Sequence, residues 1–347
     1  MQSNTIYGRT LMTSKETVQR AIRNERPARL PIIMGSLGVS DTSGIPVRTP
    51  AGFTPGTEGE DEWGCRWGHT EVPNMGQVVG HPLENMSDLD RLTVPDYTDD
   101  SRYIEVEDAL EKAEAEGKYI VSGIFMVLFE RMHSLHGFED TLVDLYTDRP
   151  AMEALADRIV DVHIGFVKEV AKRFPGRIDG WHMSDDWGTQ QSSIVGYEFW
   201  MDFFFPRYKR IFDAMHEAGC DVWVHSCGKV NDIVEGYIQA GVDVVNLQQP
   251  RALGIEDMAD RFAGRITFES LADIQVTLPT GDREAIEADV EALMTRWAST
   301  EGGFIFSDYG DDRAIGIPDG AVKTFMYDTF SKWSERIYGA PLPSRPV

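Results

Sequence analysis

The sequence predicts an α/β protein whose parallel strands close into a (β/α)8 TIM-type barrel. From residue 101 onward, apolar runs of strand length alternate with stretches whose apolar residues recur every three or four positions. An apolar run at residues 30–35 adds an earlier strand, so seven β–α steps are visible and one barrel strand is not. A doubly wound open sheet is the alternative, but no glycine-rich dinucleotide fingerprint follows an early strand.

The first elements are predicted from their end signals. Thr13 and Glu16 have the spacing of a capping box, which predicts a helix that continues through about Asn24, within an N-terminal helix segment of residues 13–28. The strand at residues 30–35 follows and ends at a glycine. The next segment, residues 36–100, is rich in Gly, Pro, Thr and acidic residues and is too long for a plain connection. We therefore expect a lid inserted after the first strand.

Regular β/α repeats are predicted over residues 101–338, within a single barrel domain that spans residues 1–347. The predicted strands are residues 119–124, 178–184, 222–226, 242–247, 265–269 and 303–307. Helical spacing of apolar residues is found at residues 152–170, 208–215, 286–297 and 322–333. We expect each apolar stripe to be the side of the helix that packs on the core.

The charge balance of the chain excludes several classes of function. The 33 basic and 57 acidic side chains give a formal net charge of −24. Such a chain repels phosphate backbones and anionic membrane faces, so neither nucleic acid nor a membrane is expected as a partner. Its three cysteines are too few for a disulfide framework, and neither a signal peptide nor an apolar span of about 20 residues is apparent. We expect a soluble, cytoplasmic protein.

The predicted strands end in polar phrases, which is where a barrel of this kind places its working residues. Asp185 and Asp186 follow one strand, and adjacent residues at a strand end face different ways. One of these carboxylates can therefore be a general acid or base while the other caps a turn, or both can be caps. The acids gathered at the predicted strand ends are Asp185, Asp186, Glu269, Asp273, Asp308, Asp311 and Asp312.

His225 and Cys227 form half of a possible zinc site. They are two residues apart on a predicted strand, so the imidazole and the thiol point the same way. Zinc accepts both ligand types and needs a third protein ligand, for which Glu269, Asp308 and Tyr309 are the candidates. The alternative is a packed histidine beside a buried, inert cysteine.

Other strand-end residues are candidates for binding a substrate. Gln190, Asn246 and Gln248 carry amide groups that suit a heteroaromatic or amide-bearing ligand, although they can equally satisfy loop backbone. Trp187 and Tyr309 are candidate ring platforms, or pocket wall that serves only packing.

These phrases, in this order, resemble the uroporphyrinogen decarboxylase superfamily, which includes methyltransferases that take a methyl group from a corrinoid protein. The resemblance covers nearly the whole chain and implies a (β/α)8 barrel. It is carried by residues 13–31, Asp185-Asp-Trp-Gly-Thr-Gln190, His225-Ser-Cys-Gly228, Gly241-Val-Asp-Val-Val-Asn246, Asp273-Ile-Gln, Leu278-Pro-Thr-Gly281 and Gly302-Gly-Phe-Ile.

The resemblance implies an activity and a set of partners. His225 and Cys227 match the first two zinc ligands of the thiol-directed methyltransferases, whereas Asp308-Tyr309-Gly310 stands where those enzymes have a cysteine. We therefore expect methyl transfer between methylcobalamin on a corrinoid-binding protein and a thiol or tetrahydrofolate. Asp185, Asp186 or Glu269 would handle protons for a folate acceptor.

Two alternatives to methyl transfer stay open. One is a uroporphyrinogen decarboxylase-type enzyme of porphyrin metabolism, which would use Asp186 or Asp273 to hold pyrrole N–H groups. The arginines near the N-terminus do not reproduce the Arg-Gln-x-x-x-Arg phrase of that enzyme. The other is a non-catalytic ligand-binding barrel that serves as a docking subunit. A homodimer is expected for a barrel of this size.

Overall fold

The computed structural model describes residues 5–6, 9–10, 12–68 and 76–346. The chain divides into two compact units. Unit 1 comprises residues 1–44, 110–121 and 243–347, and unit 2 comprises residues 45–109 and 122–242. The expected boundaries of one barrel domain, its lid and its repeats stay a prediction.

From residue 119 onward, each β-strand is followed by one or more α-helices. The described β-strands are β1 (Thr5–Ile6), β2 (Arg9–Thr10), β3 (Ile32–Met34), β4 (Val39–Ser40), β5 (Thr42–Gly44), β6 (Arg66–Gly68), β7 (Gln77–Gly80), β8 (Tyr119–Ile124), β9 (Gly180–Ser184), β10 (Asp221–His225), β11 (Val244–Asn246), β12 (Thr267–Ser270) and β13 (Phe304–Ser307). The described α-helices are α1 (Ser14–Arg23), α2 (Val106–Ala115), α3 (Phe129–His136), α4 (Phe138–Thr147), α5 (Arg149–Arg173), α6 (Tyr197–Phe203), α7 (Phe205–Glu217), α8 (Asn231–Ala240), α9 (Pro250–Leu253), α10 (Ile255–Phe262), α11 (Arg283–Arg296) and α12 (Gly320–Tyr338). None of the helices described is long and apolar enough to cross a membrane.

Parallel pairing joins the strands that the apolar runs predicted. In unit 1, β3 pairs with β13, β13 with β12, and β12 with β11. In unit 2, β9 and β10 pair in register from Gly180 opposite Asp221 to Ser184 opposite His225. Together with β5 and β8, eight of the described strands take part in parallel pairs. The predicted α/β fold of the (β/α)8 TIM type is confirmed.

The strand that the sequence did not reveal is β5. Its three residues, Thr42, Ser43 and Gly44, pair in parallel with Tyr119, Ile120 and Val121 of β8. A Thr-Ser-Gly segment carries no apolar signal, and here its pairing with β8 determines its structure. The segment expected to be a lid, residues 36–100, therefore contains a short parallel strand near its start.

Helix α1 begins at the predicted capping box and ends at Arg23, beside the predicted end at about Asn24. The Thr13 hydroxyl accepts a hydrogen bond from the Glu16 amide at 3.1 Å, and the Glu16 carboxylate accepts one from the Thr13 amide at 2.8 Å. Asn24 ends the helix in the left-handed conformation, with φ 54°, so the helix does not reach residue 28. The loop before β13 lies so close to α1 that a Cβ on Gly302 would come within 2.6 Å of the Ala21 carbonyl oxygen.

Aromatic side chains fill the core of each unit. In unit 1 the rings of Phe306 on β13 and Phe330 on α12 stack with their centroids 4.0 Å apart. In unit 2 Trp187 stacks on Phe129 at 4.3 Å and meets Phe204 edge-on at 4.6 Å. These contacts fix α12 against β13 in unit 1 and the start of α3 against the loop after β9 in unit 2.

Candidate metal centre

Two neighbouring strands of unit 2 deliver the candidate metal ligands. His225 is the last residue of β10 and lies opposite Ser184, the last residue of β9. The loops beyond the two strands touch at Gly188 and Gly228, where a Cβ on Gly228 would lie 2.3 Å from the Gly188 carbonyl oxygen. Gly228 also has a φ of 77°. Only glycine fits this close approach, which brings the Asp186 loop to the Cys227 loop.

Asp186, His225 and Cys227 form a compact group that we call the strand-end cluster. One ligand atom from each residue lies within 4.8 Å of the other two. His225 Nε2 is 3.3 Å from Cys227 Sγ and 3.6 Å from Asp186 Oδ1. The Cys227 amide donates a 2.8 Å hydrogen bond to Asp186 Oδ1, which holds the carboxylate in place.

The donor set and spacing of the strand-end cluster fit zinc. Zinc binds imidazole nitrogen at about 2.0–2.1 Å and thiolate sulfur at about 2.3 Å, so tetrahedral angles separate those two atoms by about 3.6 Å. The same geometry separates nitrogen from a carboxylate oxygen by about 3.4 Å. The corresponding distances here are 3.3 Å and 3.6 Å. Three protein ligands are the number typical of a catalytic zinc site, which keeps one position open.

The electrostatic surroundings of Cys227 favour a bound cation. Burial, and then the negative charge of Asp186, raise the pKa of the Cys227 thiol far above its usual value. The thiol therefore holds its proton at neutral pH in the metal-free protein. A metal ion is the kind of neighbour that reverses this effect, because it stabilises the thiolate directly.

Glu130 lies beside the strand-end cluster and was missed by the sequence analysis. It is the second residue of α3, it is buried, and its carboxylate accepts a 3.0 Å hydrogen bond from the Ser184 hydroxyl. Burial, followed by the charges of Asp185 and Asp186, raises the pKa of Glu130 to about 8. Glu130 therefore carries a proton at neutral pH. The apolar phrase that precedes it, residues 124–129, gave no signal of a functional residue.

Asp185 points away from the strand-end cluster and caps α3. Its carboxylate accepts hydrogen bonds from the amides of Leu128, Phe129 and Glu130 at 3.0, 2.8 and 2.7 Å, and another from the Tyr208 hydroxyl. Asp185 is completely buried, and burial raises its pKa to about 6 although these donors favour the charged form. The two adjacent acids thus face different ways, as one of the two interpretations of the sequence expected. A catalytic role for Asp185 stays a prediction.

The other candidates of unit 2 occupy different surroundings. Trp187 is fully buried in the aromatic core, and its indole nitrogen donates to the Tyr208 hydroxyl at 2.9 Å. Gln190 is exposed in the turn after β9. The structure does not bring either side chain into the strand-end cluster.

In unit 1, Glu269 and Asn246 lie together on neighbouring strands. They are opposite each other in the pairing of β11 with β12, and both are buried. Burial raises the pKa of Glu269 to about 7, and hydrogen bonds with the side chains of Asn246 and Ser307 limit the rise. Glu269 is therefore a second buried carboxyl group that titrates near neutral pH, and its predicted catalytic role is untested.

Asp308 and Tyr309 are held by a lysine that the sequence analysis did not single out. Lys323, on α12, is 1% exposed, donates to the Tyr309 carbonyl oxygen, forms an ion pair with Asp312 and lies 3.7 Å from Asp308 Oδ2. The Ser36 hydroxyl also donates to Asp308. These contacts anchor the loop after β13, and a lysine within an amphipathic helix gives no sequence signal of such a role.

Asp273 and Gln248 contribute to loop structure in unit 1. The Asp273 carboxylate accepts from the amides of Gln275 and Val276 at 2.8 and 3.0 Å and from the Arg251 amide at 3.0 Å. The Gln248 carbonyl oxygen accepts from the Ile274 amide at 3.2 Å. Two sets of expected roles stay predictions. One is substrate binding by Asn246, Gln248, Asp273, Asp308 and Tyr309. The other is metal binding by Glu269, Asp308 or Tyr309.

Comparisons with known proteins agree with this architecture. The family described as Uroporphyrinogen decarboxylase (URO-D) matches residues 68–326. The methylcobamide:CoM methyltransferase MtbA of Methanosarcina acetivorans is 21% identical over 248 residues, which are 71% of this chain and 70% of that protein. MtbA of Methanosarcina mazei is 25% identical over 206 residues, or 58% of each protein.

A solved structure described as a methyltransferase from Methanosarcina mazei has the same fold. Its TM-score is 0.62 at 14% sequence identity, and the match covers 91% of this chain and 99% of that one. The structural likeness agrees with the strand pairing described above. Because the family match spans well over half of the sequence, the protein belongs to the uroporphyrinogen decarboxylase (URO-D) family.

Proposed function

We propose that the protein is a methyltransferase that moves a methyl group between methylcobalamin, carried by a corrinoid-binding partner protein, and a small acceptor, a thiol or tetrahydrofolate. The strand-end cluster carries this proposal, because it combines an imidazole, a thiol and a carboxylate within 4.8 Å of one another. The two MtbA relatives, at 21% and 25% identity, are methylcobamide:CoM methyltransferases, which supports the same class of reaction.

The strand-end cluster would hold zinc through His225, Cys227 and Asp186. Bound there, zinc supplies a Lewis acid that lowers the pKa of an acceptor thiol into the neutral range. Asp186 takes the part of third ligand, and its hydrogen bond from the Cys227 amide fixes the orientation of the carboxylate. The negative charge of the Asp186 carboxylate would also reduce the net positive charge of the zinc site.

Glu130 would manage the proton that the acceptor gives up. Burial and the charges of Asp185 and Asp186 keep Glu130 protonated at neutral pH in the metal-free protein, and the positive charge of bound zinc would lower its pKa and favour the proton-accepting carboxylate. Its hydrogen bond to Ser184 on β9 fixes one carboxylate oxygen next to the strand-end cluster. Asp185 would be a positioning residue. Its carboxylate accepts hydrogen bonds from the first amides of α3, and these bonds hold the backbone of Glu130 in place.

Methyl transfer to a thiolate or a ring nitrogen requires the nucleophile and the methyl carbon to be in line. Holding the two reactants in that geometry removes a large share of the entropic barrier. The paired strands β9 and β10 supply a rigid base for the acceptor, since most of their residues are buried and a complete parallel register connects them. The corrinoid partner supplies the methyl group.

Methyl transfer can be tested directly with free methylcobalamin. The zinc-loaded protein is incubated with methylcobalamin and, in separate reactions, CoM, homocysteine, a neutral thiol and tetrahydrofolate, while the cobalamin absorption spectrum is followed. We expect demethylation with at least one acceptor at about 100-fold or more above the protein-free rate. The reaction should fail with Cys227→Ser and persist with Cys220→Ser, a buried cysteine outside the strand-end cluster.

Two results would contradict the methyltransferase proposal. The first is no demethylation with any acceptor, including reactions that contain candidate corrinoid-binding proteins. The second is turnover of uroporphyrinogen with the release of carbon dioxide, which would favour a decarboxylase.

A further inference from the structure

A cavity in unit 2 lies next to the helix that carries Glu130. Its volume is about 420 Å³, within the usual range for a site that binds a small organic molecule. Three residues after Glu130 on α3, His133 lines this cavity, and the charge of Asp186 acts on its imidazole. Helix α3 therefore connects the cavity with Glu130, which lies beside the strand-end cluster.

Aromatic and apolar side chains share the wall of the cavity with polar ones, Gln77 and Ser134 among them. Trp67, Met126 and Phe138 supply ring faces and a thioether, and His81 and His133 supply imidazoles. The His133 ring meets Phe138 edge-on at 5.4 Å. Phe138 remains 48% exposed, so this aromatic ring is open to a partner. Aromatic walls of this kind favour flat ligands that can stack or pack edge-on.

No side chain with a fixed charge lines the cavity among the described residues. Burial, with smaller effects from His81 and Arg131, lowers the pKa of His133 to about 4, so its imidazole is neutral at physiological pH. Arg131 is itself buried and paired with Asp61 at 3.5 Å. A charged ligand would lose part of its hydration in such a cavity without gaining an ionic partner, which disfavours its binding.

The imidazoles give the cavity hydrogen-bonding capacity. His81 Nδ1 lies 2.9 Å from the Ser134 carbonyl oxygen, an acceptor, so Nδ1 carries a hydrogen. The other ring nitrogen, Nε2, offers a second hydrogen-bonding position. A ligand with one hydroxyl or N–H group attached to an aromatic body matches this combination.

We propose that this cavity binds the uncharged aromatic body of the methyl acceptor, and that Trp67, His133 and Phe138 select it over anionic acceptors such as a sulfonate thiol. The assignment of the ligand as acceptor rests on the proposed function. The binding preference itself does not, because it follows from the composition of the wall.

Binding can be measured without metal, cobalamin or turnover. The probes are 2-naphthalenemethanol and naphthalene-2-sulfonate, which share a two-ring body and differ in charge. By equilibrium dialysis against the full-length, metal-free protein, we expect the alcohol to bind at least about tenfold more tightly than the sulfonate. Phe138→Ala should weaken binding of the alcohol about threefold to tenfold. Tyr146→Ala, on the same helix α4 and 67% exposed outside the cavity, should leave it unchanged.

Equal or tighter binding of the sulfonate would overturn the inference, whatever the variants do. So would equal effects of Phe138→Ala and Tyr146→Ala in proteins that melt at the same temperature. The selectivity measurement uses the native chain, so it does not depend on the folding of any variant. If selectivity fails while methylcobalamin is still demethylated, the cavity inference fails alone; if selectivity holds without methyl transfer, only the proposed function fails.

Discussion

In unit 1, Asp308, Asp312 and Asp41 each lie beside a lysine or an arginine, whereas in unit 2 Glu130 and Asp186 pair with neither among the described residues. In unit 1, Lys323 pairs with Asp312 and lies 3.7 Å from Asp308, and Arg29 contacts both carboxylate oxygens of Asp41 at 2.5 and 2.7 Å. In unit 2, no lysine or arginine of the described residues pairs with Glu130 or Asp186, and the cationic group near Asp186 is the imidazole of His225 at 3.6 Å.

The presence or absence of a neighbouring cation distinguishes acids that stabilise the fold from acids that are available to bind a ligand. A buried carboxylate with a fixed cation is stabilised in every state of the protein, whereas uncompensated acids raise one another's pKa values. Burial, and then the charges of Asp185 and Asp186, raise the pKa of Glu130 to about 8. Metal binding would supply the missing positive charge and would therefore stabilise unit 2.

The largest expected effect on stability is in unit 1. Lys323→Met should leave Asp308 and Asp312 without their cation and lower the free energy of unfolding by about 3–5 kcal/mol, because one partner of a buried pair remains charged. Urea denaturation measures this loss. Lys332→Met, an exposed position on the same helix, should change it by less than about 0.5 kcal/mol. Equal effects of the two substitutions would show that Lys323 does not neutralise a buried site.

Glu130→Gln should stabilise the metal-free protein, and the gain in stability should increase with pH. The folded chain raises the pKa of Glu130 from 4.5 to about 8, so its contribution to stability is present below about pH 4.5 and is lost as the pH rises through about 8. Glutamine does not incur that loss. In the metal-free protein, the stability of Glu130→Gln relative to the native chain should therefore rise between pH 5 and pH 8, by up to about 3 kcal/mol.

Thermal melting at the two pH values measures the Glu130 effect. The control is Glu139→Gln, an exposed glutamate in the first turn of α4. A difference between native and Glu130→Gln protein that is the same at pH 5 and pH 8 would mean that Glu130 is ionised at both, and the contrast between the units would disappear.

The smallest of these effects is expected for Asp186→Asn. The amide oxygen can still accept the hydrogen bond from the Cys227 amide, so the loop geometry is retained while the charge is removed. Zinc affinity, measured by competition with a chromogenic chelator, should fall roughly 10- to 100-fold. Asp140→Asn, at an exposed position of α4, is the matched control. Unchanged affinity for Asp186→Asn would remove Asp186 from the ligand set.

The fold was predictable from the sequence where apolar residues alone determine the structure. The runs that became β8 and β13 are buried strands, and their hydrophobic side chains identified them. β5 was not predictable, because Thr42, Ser43 and Gly44 form a strand only by pairing with β8. The pairing of β5 with β8 is a tertiary contact, and the residues of β5 alone do not indicate it.

The candidate site was also predictable only in part, since the residues at strand ends were identified and those on helices were not. The alternation of side chains along a strand placed His225 and Cys227 together, and Asp186 was recognised as a strand-end acid. Glu130 comes from a helix that follows an apolar phrase, and its proximity to Asp186 depends on how α3 packs against β9. Lys323 was missed for a related reason, since burial of its ammonium group is decided by the loop after β13.

The most direct test of the central claim is the zinc content of the protein purified without added metal. Mass spectrometry of the metals should find about one zinc per chain in the native protein and in Cys220→Ser, which removes a buried thiol outside the strand-end cluster. In Cys227→Ser the zinc should fall to less than about a tenth of that amount, because one of three protein ligands is lost. Full occupancy in Cys227→Ser would contradict the proposed site.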